Sequence, residues 1–215
     1  MYTCYLRILA RTIGELTGNP GLHRQVPKLR RPRPRTQIAT TDQLSAMLAN
    51  AEPWMRVFIT LALALGLRHA EALDVRPAGF NPDRHVIRFK AKGGDVQEMP
   101  TTEEIEALFA NAPQGDPQTP LVEIYRGKPI SKDTVSWFWR KLKKNTGITG
   151  DLRPHDLRRT AAVTGYELTR DLRFVWQLLR HRNLDTTAKY LEHVNPTEMR
   201  SLLQQLWTPK TETKQ

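Results

Sequence analysis

Apolar residues recur at helical spacing at Leu6, Leu9, Ile13 and Leu16, which predicts a helix from Tyr5 to Leu16 closed by Gly18-Asn19-Pro20. The pattern then lapses. From His23 to Arg35 the chain sets Arg24, Lys28, Arg30, Arg31, Arg33 and Arg35 among Pro27, Pro32 and Pro34. Proline blocks helix and sheet pairing and like charges hold the chain extended, so this stretch is a linker. It can follow a phosphate backbone, or it can be a solvated tether without a partner; charge runs in general favour the second.

A globular pattern starts near Thr40. Thr40-Thr41-Asp42-Gln43 forms a capping box ahead of a helix through Leu44, Met47 and Leu48. Pro53 suits the first turn of a second helix, Trp54 to Leu65, whose nearly continuous apolar character predicts a central, buried position. A short helix through Arg68, Glu71, Ala72 and Leu73 follows Gly66. His85 to Lys90 alternates apolar and basic residues, and with Gly93-Gly94 and Val96 to Met99 it predicts a hairpin. Thr101 or Thr102 caps a helix through Ile105, Leu108 and Phe109, a short apolar piece covers Leu121 to Tyr125, and Ser131 opens a helix carrying Val135, Phe138, Trp139 and Leu142. Further helices fall near His155 to Leu168, Leu172 to Leu179, Thr186 to Glu192 and Thr197 to Trp207. The fold class is mostly α with one small antiparallel β element (α+β), and the chain divides into residues 1–36, a helix plus basic linker, and a globular domain over 37–215.

Composition narrows the function. The 215 residues hold 33 Lys+Arg against 22 Asp+Glu, a net charge of +11 that favours a polyanionic partner, nucleic acid ahead of a membrane surface. No apolar run approaches the roughly 20 residues of a spanning helix, and Met1 to Leu16, with Arg7, Arg11 and Glu15 among its apolar residues and no clear cleavage site, does not look like a signal peptide, so the expected location is cytoplasmic, at the nucleoid. One cysteine, Cys4, excludes an internal disulfide and a multi-cysteine zinc site. The six histidines show no i, i+4 pair, so a metal is not implied, and no cofactor is expected for the chemistry below.

The candidate chemistry is metal-free attack on a phosphodiester. Tyr190 closes a predicted helix nine residues after His181. A phenol, which titrates near about 10 when unperturbed, needs a base to become a nucleophile, and the phosphate needs its charge neutralised. Guanidinium groups fork onto phosphate oxygens and stay charged, whereas lysine can serve as a proton donor because its pKa is tunable. His155 and Arg158 stand three apart at the start of a helix, where free amide N–H groups add positive potential. Taken alone, His-x-x-Arg is more often a core histidine beside a solvated arginine. The other tyrosines, Tyr2, Tyr5, Tyr125 and Tyr166, have no histidine at the same sequence distance.

Together these residues resemble the tyrosine recombinase, or phage integrase, family, from about Thr40 to Trp207. Gly66-Leu67-Arg68-His69-Ala70-Glu71-Ala72-Leu73 is similar to its first-arginine motif, with Glu71 in the place of the usual acidic partner. Lys92-Gly93-Gly94 ahead of Met99-Pro100 resembles the hairpin of the catalytic lysine, with Lys90 as a rival on the same strand face. His155 to Thr160 resembles the His-x-x-Arg box, and Leu178-Leu179-Arg180-His181 with Thr186, Thr187 and Tyr190 resembles the final box. The resemblance implies a site-specific recombinase of integrase, excisionase or invertase type. Arg68 and Arg158 would bind the scissile phosphate, Lys92 would protonate the leaving 5′ oxygen, His155 would assist proton removal, and His181 would hydrogen-bond the phosphate. Tyr190 would form a 3′-phosphotyrosyl bond that is later resealed without ATP or metal.

Double-stranded DNA is the implied partner, contacted by Arg30, Arg31, Arg33, Arg35, Arg140, Lys141, Lys144 and Arg159. The family usually has glycine where Arg180 stands; a cation there alters the turn or adds a phosphate contact. Asp95 and Glu98 put acid on a hairpin that is often basic. Typical members carry a separate helical core-binding domain, of which Tyr5 to Leu16 matches the last helix. The final helix, Thr197 to Trp207, either docks on a neighbouring protomer, implying a homo-tetramer on paired DNA sites, or folds back onto its own core. Two rival readings are a type IB topoisomerase-like relaxing enzyme and a non-catalytic DNA-binding relic of an integrase.

Overall fold

The computed structural model describes residues 2–26, 37–91 and 93–180, and divides the chain into two compact units, Met1–Thr36 and Gln37–Gln215. In the first unit, helix α1 (Tyr2–Leu16) ends as its sequence predicts. Gly18 adopts φ +73°, and the Asn19 N–H donates to the Gly14 carbonyl at 2.8 Å, a Schellman closure of the last turn. Its apolar positions, Leu6, Leu9, Ile13 and Leu16, are exposed. A one-turn helix, α2 (Leu22–Gln25), takes in residues that the charge and proline pattern assigns to the linker. The His23 ring supports it from within by a 3.0 Å hydrogen bond to the Pro20 carbonyl.

The second unit is mostly helical with one three-stranded antiparallel sheet. Helix α3 (Thr41–Asn50) starts at the predicted capping box: the Gln43 N–H donates to Thr40 Oγ1, and the Thr40 N–H donates to Gln43 Oε1. Helix α4 (Pro53–Ala64) has proline in its first turn and buries Trp54, Met55, Val57, Phe58, Ile59, Leu61 and Ala62. Residues buried on so many sides of one helix require neighbours on all of them, and α4 is the axis of the main core. Around it pack α5 (His69–Asp74), α6 (Glu103–Ala110), α7 (Leu121–Arg126) and α9 (Asp156–Thr169), while α8 (Lys132–Asn145) adds Val135, Trp139 and Leu142 to the same core. Helix α10 (Leu172–Leu179) lies on α9, where Val175 and Leu179 meet Ala162.

The sheet order is β1 (Phe80–Asn81), β2 (Val86–Lys90), β3 (Val96–Pro100). The β2–β3 hairpin matches the predicted one, with Ile87 opposite Met99 and Ile87 and Phe89 buried. Strand β1 is too short for alternation to reveal it. Its approach depends on Gly79, where a Cβ atom would lie 2.2 Å from the Arg88 carbonyl oxygen. The apolar piece at Leu121 forms helix α7, ended by Gly127 in the left-handed region. The predicted helices at Thr186 to Glu192 and Thr197 to Trp207 lie outside the described residues.

The core centred on α4 gives a direct expectation. Trp54→Ala, at a side chain 1% exposed, should lower unfolding free energy by about 3–5 kcal/mol in urea titration. Thr40→Ala, which removes only the cap of α3, should cost about 1 kcal/mol.

Candidate active site

The site grows out of one tight turn. Helix α4 stops at Leu65, and Gly66 takes φ +54° with its Cα facing α10: a Cβ there would meet Leu179 Cδ2 at 3.2 Å and Leu178 Cγ at 3.3 Å. Glycine thus supplies both the left-handed turn and the close approach. The turn delivers Arg68 to the N-cap of α5, and Glu71 reaches back to it from the third helical position. The Arg68 N–H donates to Glu71 Oε2 at 2.9 Å, and Arg68 Nη1 donates to Glu71 Oε1 at 2.7 Å. One carboxylate therefore caps the helix and holds the guanidinium.

Two more arginines converge on the same carboxylate. Arg158 comes from α9 with only 2% of its side chain exposed; Nη1 donates to the Gly66 carbonyl at 2.5 Å and lies 3.9 Å from Glu71 Oε2, while Nη2 donates to the Leu179 carbonyl. Arg180 comes from the C-cap of α10, and its Nη2 donates to Glu71 Oε2 at 3.1 Å. Three guanidiniums around one carboxylate leave this corner positive among the described residues, which suits an anion. Arg68, with 32% of its side chain exposed, is the one that faces outward.

Burial opposes ionisation of Glu71, but hydrogen bonds from the Arg68 main chain and guanidinium, with the Arg180 and Arg68 charges, outweigh it and hold the carboxyl below its ordinary 4.5. His155 sits at the N-cap of α9. Although it is an exposed residue, the protein around its ring removes enough water to be the main cause of a pKa below 6.5, and the Arg158 charge adds to the effect. The imidazole is thus biased toward the neutral form that can accept a proton. Its helix start is braced by Asp156, which is buried and accepts the Arg153 N–H at 2.8 Å.

The structure thus brings Arg68, Arg158 and His155 to one place. Lys92, His181 and Tyr190 lie outside the described residues, as do Arg30, Arg31, Arg33 and Arg35. Lys90 is exposed at the end of β2, opposite Val96. Of the other basic residues, Arg140, Lys141 and Lys144 are exposed on α8, and Arg159 is half-buried on α9. Lys141 Nζ lies 5.6 Å from the centre of the exposed Trp137 ring. Glu98, the acid on the hairpin, is engaged by Arg88 at 2.8 Å and Arg84 at 2.7 Å, so it neutralises local arginines.

Sequence reasoning missed His69. Its ring stands edge-on to Phe58 and its Nε2 is buried without a hydrogen-bond partner; burial first, then the Lys132 and His155 charges, push its pKa down. No periodicity marks such a residue. Arg180 was legible only as a departure from a glycine, and the direction of its side chain was not. Among the described residues no group of three or more His, Cys, Asp or Glu side chains converges as a metal-binding set.

The model of the phage integrase family matches residues 37–197. The chain belongs to the phage integrase family. Among relatives, the tyrosine recombinase XerC of Rhizobium meliloti (strain 1021) is 30% identical over 181 residues, covering 80% of this chain and 56% of that protein. The chain spans about half the length of the XerC relatives it matches. The crystal structure of XerA recombinase superposes with a TM-score of 0.62 at 19% identity, covering 96% of this chain and 84% of XerA. The Tn1549 transposon integrase in complex with circular intermediate DNA superposes with a TM-score of 0.69 at 18% identity, covering 94% and 76% of the two chains. For this member of the integrase family, those likenesses establish the mostly helical fold with its small sheet.

Removing the shared carboxylate should be costly, because it strands buried cations. Glu71→Ala is expected to lower stability by about 3–5 kcal/mol. The pH dependence follows from the depressed folded pKa: the Glu71 contribution is complete above 4.5 and is lost as pH falls through the lower folded value. The stability gap between wild type and Glu71→Gln, measured by urea unfolding, should therefore narrow on acidification below 4.5.

Proposed function

We propose that the chain is a site-specific tyrosine recombinase that cleaves and rejoins double-stranded DNA through a 3′-phosphotyrosyl intermediate. The observation that carries this reading is the convergence of Arg68 and Arg158 on Glu71, with His155 at the adjoining helix start. Preorganised guanidiniums stabilise the charge that builds on a phosphodiester in the transition state, and they do so without reorganising when it forms.

In the proposed step Tyr190 Oη attacks phosphorus, forming the phosphotyrosyl bond while the bond to the 5′ oxygen breaks. His155 receives the tyrosine proton and Lys92 delivers one to the 5′ oxygen. Arg68 and Arg158 hold the non-bridging oxygens, Arg68 from the exposed side, and His181 adds a hydrogen bond. A 5′-hydroxyl from a second strand reverses the sequence, so the phosphodiester energy is conserved. Phosphate contacts from α8 and the basic 28–35 segment position the duplex. The net charge of +11 and the DNA present in the Tn1549 integrase structure both support a DNA partner. Assembly into a tetramer through the Thr197 to Trp207 helix, and action at the nucleoid, complete the reading; no helix among the described residues is long and apolar enough to cross a membrane.

A nicked suicide duplex carrying a recombination site tests the chemistry. Wild type should form a covalent protein–DNA adduct, and Tyr190→Phe should form none while retaining DNA binding. Adducts that persist in Tyr190→Phe would overturn the assignment, and tight binding with no wild-type adduct would favour a non-catalytic DNA-binding protein. The α8 surface has its own signature: replacing Arg140, Lys141 and Lys144 with alanine should weaken binding to all sequences and reduce the salt slope by about 0.9 for each phosphate that is no longer neutralised. Filter binding between low and moderate salt reads that slope.

A further inference from the structure

Arg180 is a buried cation that the proposed chemistry leaves unused. It ends α10 at φ 51° and ψ 45°, a left-handed conformation that suits glycine and costs a residue with a side chain. Its side chain is nevertheless turned inward and is only 8% exposed. Nη1 donates to the Leu178 carbonyl at 2.7 Å and to the Leu65 carbonyl at 3.0 Å; Nη2 donates to Glu71 Oε2 at 3.1 Å and to the Gly66 carbonyl at 3.3 Å. The guanidinium also lies over the Phe89 ring, 5.1 Å from its centre. It therefore joins the end of α10, the turn after α4 and strand β2. A phosphate contact by Arg180, one of the two expectations from sequence, does not fit a side chain committed to these partners.

The division of labour at Glu71 gives this network its consequence. Arg180 and the Arg68 N–H occupy Oε2, and Arg68 Nη1 takes Oε1. Arg158 Nη1 waits 3.9 Å from Oε2 and shares the Gly66 carbonyl with Arg180. Without Arg180, Oε2 keeps the Arg68 N–H as a donor but loses the contact that ties the carboxylate to the end of α10, which loosens its grip on Arg68 Nη1.

We propose that Arg180 is a positioning residue: by holding Glu71 Oε2 it orients Arg68 for phosphate, and it does so through Glu71 rather than by touching DNA. This inference rests on the proposed strand-transfer function. A simple structural anchor would instead lower stability and rate independently of Glu71.

A double-mutant cycle on the full chain separates the two, using Arg180→Met and Glu71→Gln with a nicked suicide duplex at saturating concentration. Arg180→Met should slow adduct formation on the order of tenfold while DNA affinity changes by less than about threefold, because misplacing a binding group costs rate more than encounter. In the Glu71→Gln background the same change should cost less than about twofold, the non-additivity of residues acting in one network. Arg180→Lys, which keeps a cation for Glu71 but not the fork, should fall between wild type and Arg180→Met, and it serves as the test variant if Arg180→Met does not fold. Equal losses in both backgrounds, an unchanged rate, or a loss of affinity matching the loss of rate would each overturn the proposal. Guanidinium NMR of Arg68 in the free protein reads the same coupling without DNA chemistry. Faster Arg68 Nη–H exchange in Arg180→Lys supports the proposal, and unchanged exchange refutes it. A wild type that forms no adduct would therefore sink the proposed function, while the NMR result still decides the role of Arg180.

Discussion

One buried carboxylate organises this molecule's candidate site. Glu71 is 3% exposed, and an ionised carboxylate so placed is tolerated only when its charge and lone pairs are satisfied. Arg68, Arg158 and Arg180 do this from three different elements, α5, α9 and α10. The constraint runs both ways. Arg158 and Arg180 are themselves expensive to bury, and both depend on the same carboxylate and on main-chain carbonyls of the Leu65–Gly66 turn and the end of α10. The cluster is a joint between helices as well as a reservoir of positive charge.

That joint explains why the surrounding fold is built as it is. Helix α4 is buried on so many sides that its end cannot shift without disturbing the core, which makes Leu65 and Gly66 fixed acceptors. Gly66 lets α10 approach to van der Waals distance, and Arg158 spans the gap from α9 to both. A site assembled on packed helices and a tight turn holds its groups more firmly than one assembled on loops. Charge elsewhere follows a different logic. Arg84 and Arg88 are paired with Glu98 on the sheet, whereas Arg140, Lys141 and Lys144 are exposed on α8.

Much of this was legible in one dimension. The capping box at Thr40, the proline-started α4, the hairpin around Gly93-Gly94 and the stop at Gly18 are local signals, and local signals survive folding because they depend on neighbours a few residues away. The two-residue β1 and the helical turn at Leu22 were not legible, being shorter than any period that could reveal them. At the site, His155 and Arg158 were marked by their spacing, weakly by themselves, and Arg68 and Glu71 by the resemblance of Gly66 to Leu73 to the family's first-arginine motif. His69 was not marked, because its buried, unpartnered Nε2 arises from Phe58 and other distant neighbours.

The sequence by itself therefore determined most of the described helices, the β2–β3 hairpin, the positive charge, the family and the residue types of the candidate groups. The tertiary structure alone decided which way those groups point: Arg158 inward onto Gly66 and Leu179, and Arg180 onto Glu71 from 109 residues away in the chain. Spacing along a chain carries information about neighbours one or two turns apart. The direction of a buried cation is set by whichever carboxylate and carbonyls the packed helices bring within reach, and those partners exist only once the core has formed.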